Sequence, residues 1–450
     1  MTDSSRDRRG AWVQALLAAL VVAAALVAAP VPAAAAPQQD GPVWTQPQGL
    51  APSHLQPDFP TAVAVGQGGR VLAVFGCNRG RGATARRALC ARWREWDGRM
   101  GPTLTLGDAA SGAAEDAPVD AAISTEGIAT VVWETAAGLQ LRRVRAGGRL
   151  GGEQLLATGR VETVAVTAGD AGSVAVTWAQ DQARSDPAPV TDGVRVRVVS
   201  ARGVAGPTTV LPGNTVHRVV PVPGGGDLGY AVLTSDAGLT RSVARYDLTE
   251  VAEDGTVRAT TVVDDATVGV DVATRHTGAL VLAWWRSEGD ERVLTVRRYP
   301  QGLAGPSRTF RAGPVHPRGG EAVLANTFDG LQLVFSTERG RRVGVVPWSG
   351  GKPLRHVPLA AGGEVHAARD RLVLLHPVAS VVGQYVEVRT WDGTRLSRPK
   401  RVLVDDRFDN ECGDSRFDIA SAHGHVAVVN VRELGCVRSG LVRAQVVVRD

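Results

Sequence analysis

Beyond residue 60 the chain alternates apolar and polar residues with a period of two, and no stretch there keeps apolar positions at i, i+3, i+4 and i+7. Such a pattern predicts strands and almost no helix. One strand type recurs, a glycine turn followed by alternating aliphatics that often finish in an aromatic residue. Its clearest copies are Gly69 to Phe75, Gly127 to Trp133, Gly172 to Trp178 and Gly278 to Trp284. Weaker copies run from Gly229 to Thr234, Gly330 to Ser336, Asp370 to His376 and Gly424 to Val431, which makes eight. Several follow another short β run, as at Thr61 to Val65, Val119 to Ser124, Thr163 to Thr167 and Phe417 to Ser421. A third strand and a turn come next, clearest at Glu95-Trp96-Asp97-Gly98, Trp348-Ser349-Gly350-Gly351 and Thr390-Trp391-Asp392-Gly393. There Asp-Gly and Gly-Gly predict two-residue type I′ hairpin turns, whose central residues both need positive φ. A fourth strand begins at or near Gly101, Gly152, Gly206, Thr256, Gly305, Lys352 and Arg398.

A period near 50 residues points to a propeller or a solenoid. The Gly-Pro pair that opens fourth strands at Gly101-Pro102, Gly206-Pro207 and Gly305-Pro306 also stands at Gly41-Pro42, with no strand group in front of it. At the other end, the last group stops at its third strand, Leu441 to Arg449. An unpaired strand and a vacancy fit a closed β-propeller whose N-terminal segment completes the C-terminal blade, since radial repetition leaves only short protected edges. The expected fold is therefore all-β: one closed propeller of eight four-stranded blades, with residues 41–50 beside residues 441–449. Seven or six blades follow if the groups around Gly229 and Gly330 are misassigned. Two β-sandwiches are the rival arrangement, but no Pro-, Ser- or charge-rich linker divides residues 59–450. The expected organisation is an export signal over 1–35, a segment over 36–58 containing the closing strand, and the propeller over 59–450.

With this repeat the chain resembles secreted bacterial propeller-repeat proteins. Trp96-Asp97 and Trp391-Asp392 look like the signature dipeptide of WD40 repeats, although the Gly-His partner of that family is missing before the first strand. Asp170 to Trp178 is similar to the Asp box of sialidases, but its tryptophan lies too far from Gly172 and the motif falls between first and second strands. The resemblance implies the architecture and no particular activity.

Arg6, Arg8 and Arg9, the apolar stretch from Ala11 to Ala29, and the small residues from Pro32 to Ala36 read as an export signal cut after Ala35. The alternative is a retained anchor, since the apolar stretch approaches the ~20 residues of a membrane helix. Gly10 and Ala11 after Arg8-Arg9 favour ordinary secretion over twin-arginine export, and after cleavage no membrane insertion is expected. Removing residues 1–35 leaves a net charge of +4, 47 basic against 43 acidic residues. That is no nucleic-acid footprint, and arginines alternating with valines, as in Val194 to Val198, belong to a wetted sheet face. Four cysteines in an exported chain predict two disulfides. Cys77–Cys90 with Cys412–Cys436 closes the two shortest loops.

The densest polar group is the acidic segment Asp405, Asp406, Asp409, Glu411, Asp414 and Asp418, read as the connection from the seventh blade to the eighth. It is the candidate binding surface. Oxygen-rich clusters can hold Ca²⁺, but the Asp-x-[Asp/Asn]-x-[Asp/Asn]-Gly spacing is absent, so the expected metal is none and the expected cofactor none, Ca²⁺ remaining an option here alone. Arg79, Arg81, Arg86 and Arg87, in the first blade's corresponding loop, would face it across the ring's seam. Catalytic residues are not identifiable. Gly-x-Ser-x-Gly, His-Glu-x-x-His and Gly-x-x-x-x-Gly-Lys-[Ser/Thr] are all missing. Carboxylates abound without a preferred pair for glycoside hydrolysis. His423-Gly424-His425 reads as a turn, His366 and His376 as strand residues, and Trp133, Trp178, Trp284, Trp285, Trp348 and Trp391 as packing between blades. The expected function is non-catalytic recognition of an extracellular protein or glycan by a monomer. The alternatives are a polysaccharide hydrolase or lyase acting at the mouth of the ring, or a purely structural module.

Overall fold

A computed structural model describes residues 48–50, 56–79, 86–109, 117–169, 172–180, 193–222, 229–236, 245–263, 266–275, 278–288, 291–300, 302–311, 322–327, 330–337, 340–345, 357–359, 364–368, 371–380, 383–391, 395–405, 415–422, 425–434 and 441–449. All of them belong to one compact unit, Val43–Asp450. The predicted export signal and Gly41-Pro42 lie outside the described residues, and no helix among those described is long and apolar enough to cross a membrane.

The chain is a β-propeller, and its described residues form eight four-stranded antiparallel sheets. Blades 1 to 7 are consecutive meanders over residues 56–108, 119–158, 161–211, 215–263, 266–311, 322–359 and 364–405. Blade 8 takes three strands from residues 415–449 and its fourth from Gln48–Gly49. The first strand of each blade touches the first strand of the next, and that of blade 8 (Ser415–Ala422) touches that of blade 1 (Gln56–Val65), so the ring is complete. The closing strand is antiparallel to Leu441–Arg449, with Gln48 opposite Val446 and Gly49 opposite Gln445.

A tight loop recurs through the blades. At 66–70, 95–99, 124–128, 169–173, 200–204, 252–256 and 275–279 the first residue donates its N–H to the fifth residue's carbonyl, and its own carbonyl accepts from the fourth. The fourth residue is always glycine with φ between 74° and 87°. These are three-residue loops ending in a left-handed glycine, so the two-residue type I′ turn expected at Asp97-Gly98 is corrected to Trp96-Asp97-Gly98. A right-handed turn followed by one left-handed residue also matches the strand twist, so a single glycine suffices in most of these loops; 66–70 has a second left-handed glycine at Gly68. The turns at Gly350-Gly351 and Asp392-Gly393 lie outside the described residues.

Trp133, Trp178, Trp284, Trp285 and Trp391 are all buried, as alternation predicts. Each lies in an apolar cluster shared by two adjacent blades: Trp133 joins blades 1 and 2, Trp178 blades 2 and 3, Trp284 blades 4 and 5. The seam between blades 8 and 1 has a core of the same kind, in which Leu50 packs with Val63, Val71, Phe75, Ala427 and Val429. The predicted Cys77–Cys90 disulfide is present within it, joining two adjacent strands with Cα atoms 5.8 Å apart.

Arginine side chains add a repeated bridge from blade to blade. In blade 3, Arg197 donates through Nε to Gly206 O at 2.6 Å and through Nη1 to Leu156 O of blade 2 at 3.0 Å. In blade 2, Arg142 bonds Gly151 O of its own outer strand and Leu106 O of blade 1. Arg92 of blade 1 reaches Gly101 O at 2.8 Å, then Gly49 O at 2.8 Å and Leu50 O at 3.5 Å. Leu50 thus stands toward blade 1 as Leu106 stands toward blade 2, an arrangement expected only of a fourth strand. It also resolves the register. Leu106 and Leu211 follow Gly101 and Gly206 by five residues, whereas Leu50 follows Gly41 by nine, so the Gly-Pro of the N-terminal segment is out of step with the others.

Candidate functional site

The acidic segment is only partly within the described residues. Asp405 ends the last strand of blade 7 and Asp418 lies in the first strand of blade 8, where its Oδ1 accepts from Ile419 N at 3.0 Å. Asp406, Asp409, Glu411 and Asp414, together with Cys412, Cys436 and Arg81, fall outside them, as does the backbone of His423-Gly424. Among the described residues no group of three or more His, Cys, Asp or Glu is placed to hold a metal ion. His366 Nδ1 lies 3.3 Å from Ser421 Oγ, across the contact between the first strands of blades 7 and 8.

Two carboxylates of the channel-side strands, Asp120 and Asp271, bond to neighbouring blades. Asp120, second residue of the first strand of blade 2, accepts from its own Ala121 N at 2.7 Å and from Val166 N of blade 3 at 2.6 Å. Asp271 repeats this in blade 5, accepting from Val272 N at 2.8 Å and from Leu324 N of blade 6 at 2.6 Å. Arg218 of blade 4 also donates to both of its oxygens, at 2.8 and 2.7 Å, so one carboxylate holds three blades. Desolvation pushes Asp120 up to about 6 against the two N–H groups that favour its charge, and desolvation also raises Asp271 despite Arg218. The sequence carries a signal for these residues in the neighbours of each aspartate. Val119-Asp120-Ala121, Val270-Asp271-Val272 and Phe417-Asp418-Ile419 place an aspartate between apolar residues in each of three first strands.

A groove of about 420 Å³ opens between blades 1 and 2, on the face that carries the first-to-second and third-to-fourth connections. Its wall is the 95–99 loop of blade 1, and its far side is Gly147 and Gly148 in the corresponding turn of blade 2. Trp96 stands at the tip of the loop with 67% of its surface exposed, unlike the buried tryptophans of the interblade cores. Strand geometry explains the difference: Trp93, three residues earlier and still in the third strand Arg86–Arg94, turns inward and is 1% exposed, whereas Trp96 has left the ladder. Trp93 lines the groove and its Nε1 has no hydrogen-bond partner among the described residues.

The charged groups here are paired. Asp97 accepts from Arg99 N at 3.0 Å and Arg99 Nε at 2.6 Å, and these bonds, the backbone one first, hold its carboxyl below the usual range. Glu95 lies 3.4 Å from Arg70 Nε and accepts from Gly147 N at 3.4 Å, tying the loop to blade 2. On the opposite side Gln48 of the closing strand donates to Gly98 O at 2.9 Å. Ring closure and the shape of this groove are therefore mechanically connected.

No family model matches the chain, and no curated protein matches it in sequence. Among solved structures it is similar to the WD40 domain of SCAP from fission yeast, at 11% identity and a TM-score of 0.47, over 88% of this chain and 97% of that one. It is also similar to the β-propeller domain of the Trilobed protease from Pyrococcus furiosus, at 11% identity and a TM-score of 0.43, over 80% and 98%. A structure from a study of two prolyl endopeptidases matches at 14% identity and a TM-score of 0.44, over 81% of this chain, which spans about half of that one, 53%.

Proposed function

We propose that this chain is an exported recognition module, a rigid ring that binds an extracellular protein or glycan without transforming it. The observation that carries this reading is the use made of two channel-side carboxylates. Asp120 and Asp271 each accept backbone N–H groups from two blades, and Asp271 an arginine besides. A hydrolase or lyase at the ring's mouth needs carboxylates free to move protons at a substrate, and these are occupied in holding the ring. Export is supported by the basic, apolar and small-residue order of residues 1–35 and by the Cys77–Cys90 disulfide, a bond that persists in oxidising compartments. The acidic connection after Asp405 remains part of the proposed binding surface.

The test is to expose immobilised neutral and anionic polysaccharides and extracellular matrix proteins to the purified chain, and to assay the same polysaccharides for new reducing ends and unsaturated products. Retention without product is expected. Product formation would replace this reading with the hydrolase or lyase.

A further inference from the structure

We propose that the groove between blades 1 and 2 is a binding site for a neutral oligosaccharide, with Trp96 as the platform on which a pyranose ring stacks; this deepens the recognition reading and rests on it. An indole left 67% exposed at a loop tip loses hydration free energy that burial would recover, and the protein keeps it there. The loop holding it is stiff. Gly98 is bonded within the loop and to Gln48, Glu95 reaches across to Gly147, and Asp97 is locked to Arg99. A preorganised aromatic surface of this kind binds at low entropic cost.

The choice of ligand follows from charge and hydrogen-bonding capacity. Glu95 is matched by Arg70 and Asp97 by Arg99, so the groove offers acceptors and donors side by side without net charge. An anionic sugar would meet two carboxylates, and an apolar ligand would strip Glu95, Asp97 and Arg99 of water without return. A neutral sugar has an apolar C–H face for Trp96 and hydroxyls that both donate and accept for the rest. The volume of about 420 Å³ lies within the ~300–1,000 Å³ of small-ligand sites.

The test titrates the mature chain with cello-, manno-, malto- and chitohexaose and, for comparison, with hexagalacturonate. At least one neutral hexaose should bind saturably, and should protect Trp96 of the unaltered protein from oxidation by N-bromosuccinimide. Trp96→Ala should weaken that binding by about tenfold or more with an unchanged melting temperature, Trp96→Phe should restore part of it, and Val204→Ala, at another exposed apolar position, should leave it intact. The proposal falls if no neutral hexaose binds, if only hexagalacturonate does, or if bound hexaose leaves Trp96 unprotected and Trp96→Ala binds as well as the parent. None of those results touches the recognition reading, which fails separately on product formation.

Discussion

Asp120 shows how a single side chain can work against the ring it helps to hold. Its folded value of about 6 lies above the 3.8 of the open chain, so the folded state binds the proton more tightly. Its stabilisation is therefore complete below about pH 4 and is lost as pH rises through 6, by at most about 3 kcal/mol. Urea unfolding from pH 4 to pH 7 should show that decline, and Asp120→Asn should flatten it; parallel curves for the two proteins would contradict the assignment. Gly68 offers a second residue-scale test. Its φ is 71° and nothing lies within 4 Å of where a Cβ would sit, so Gly68→Ala meets only backbone strain. It should cost about 1–2 kcal/mol by denaturant unfolding. At this scale the sequence was legible where burial follows alternation, as for Trp133 and Trp178. It was silent on Trp96, because two residues beyond the strand Arg86–Arg94 the alternation no longer assigns a side.

At the scale of elements, hairpins and bridges divide the labour. The left-handed glycines at 69, 127, 172 and 278 are the same ones that open the clearest strand copies, which is why those blades could be read directly. The copies at Gly229 and Gly330 were harder to read because neither ends in the tryptophan that closes those at 127, 172 and 278. The arginine bridges were not foreseeable. An Arg alternating with Val reads as a wetted face, and only the neighbouring blade supplies Leu156 O to Arg197. Charge-assisted bonds of this sort are worth about 1.5–3 kcal/mol each. Arg197 makes two of them, so Arg197→Ala should lower the unfolding free energy by about 3 kcal/mol or more, and Arg197→Lys, which cannot span both carbonyls as a planar fork, should recover only part. Replacing Cys77 and Cys90 by serine should cost about 3 kcal/mol, read as a drop in the thermal midpoint, if the disulfide acts by limiting the open chain.

For the whole molecule, the decisive fact is that an early segment completes the last blade. The ring was legible because a four-strand cycle repeated without restarting and left one vacancy. The groove was not, since it joins blade 1 to blade 2 and leans on Gln48 from blade 8, residues that no local pattern brings together. The same closure positions the proposed saccharide site, so opening the ring should loosen Gly98 and Trp96 with it. The most direct measurement is a cross-link. In a chain carrying Gln48→Cys and Val446→Cys, residues that face each other across the closing ladder, oxidation should join the two positions within one molecule and raise the thermal midpoint, whereas Gln48→Cys with Val442→Cys, whose partner is Glu433, should not join. Failure of the 48–446 pair to form, or equal cross-linking of both pairs, would contradict the closed ring.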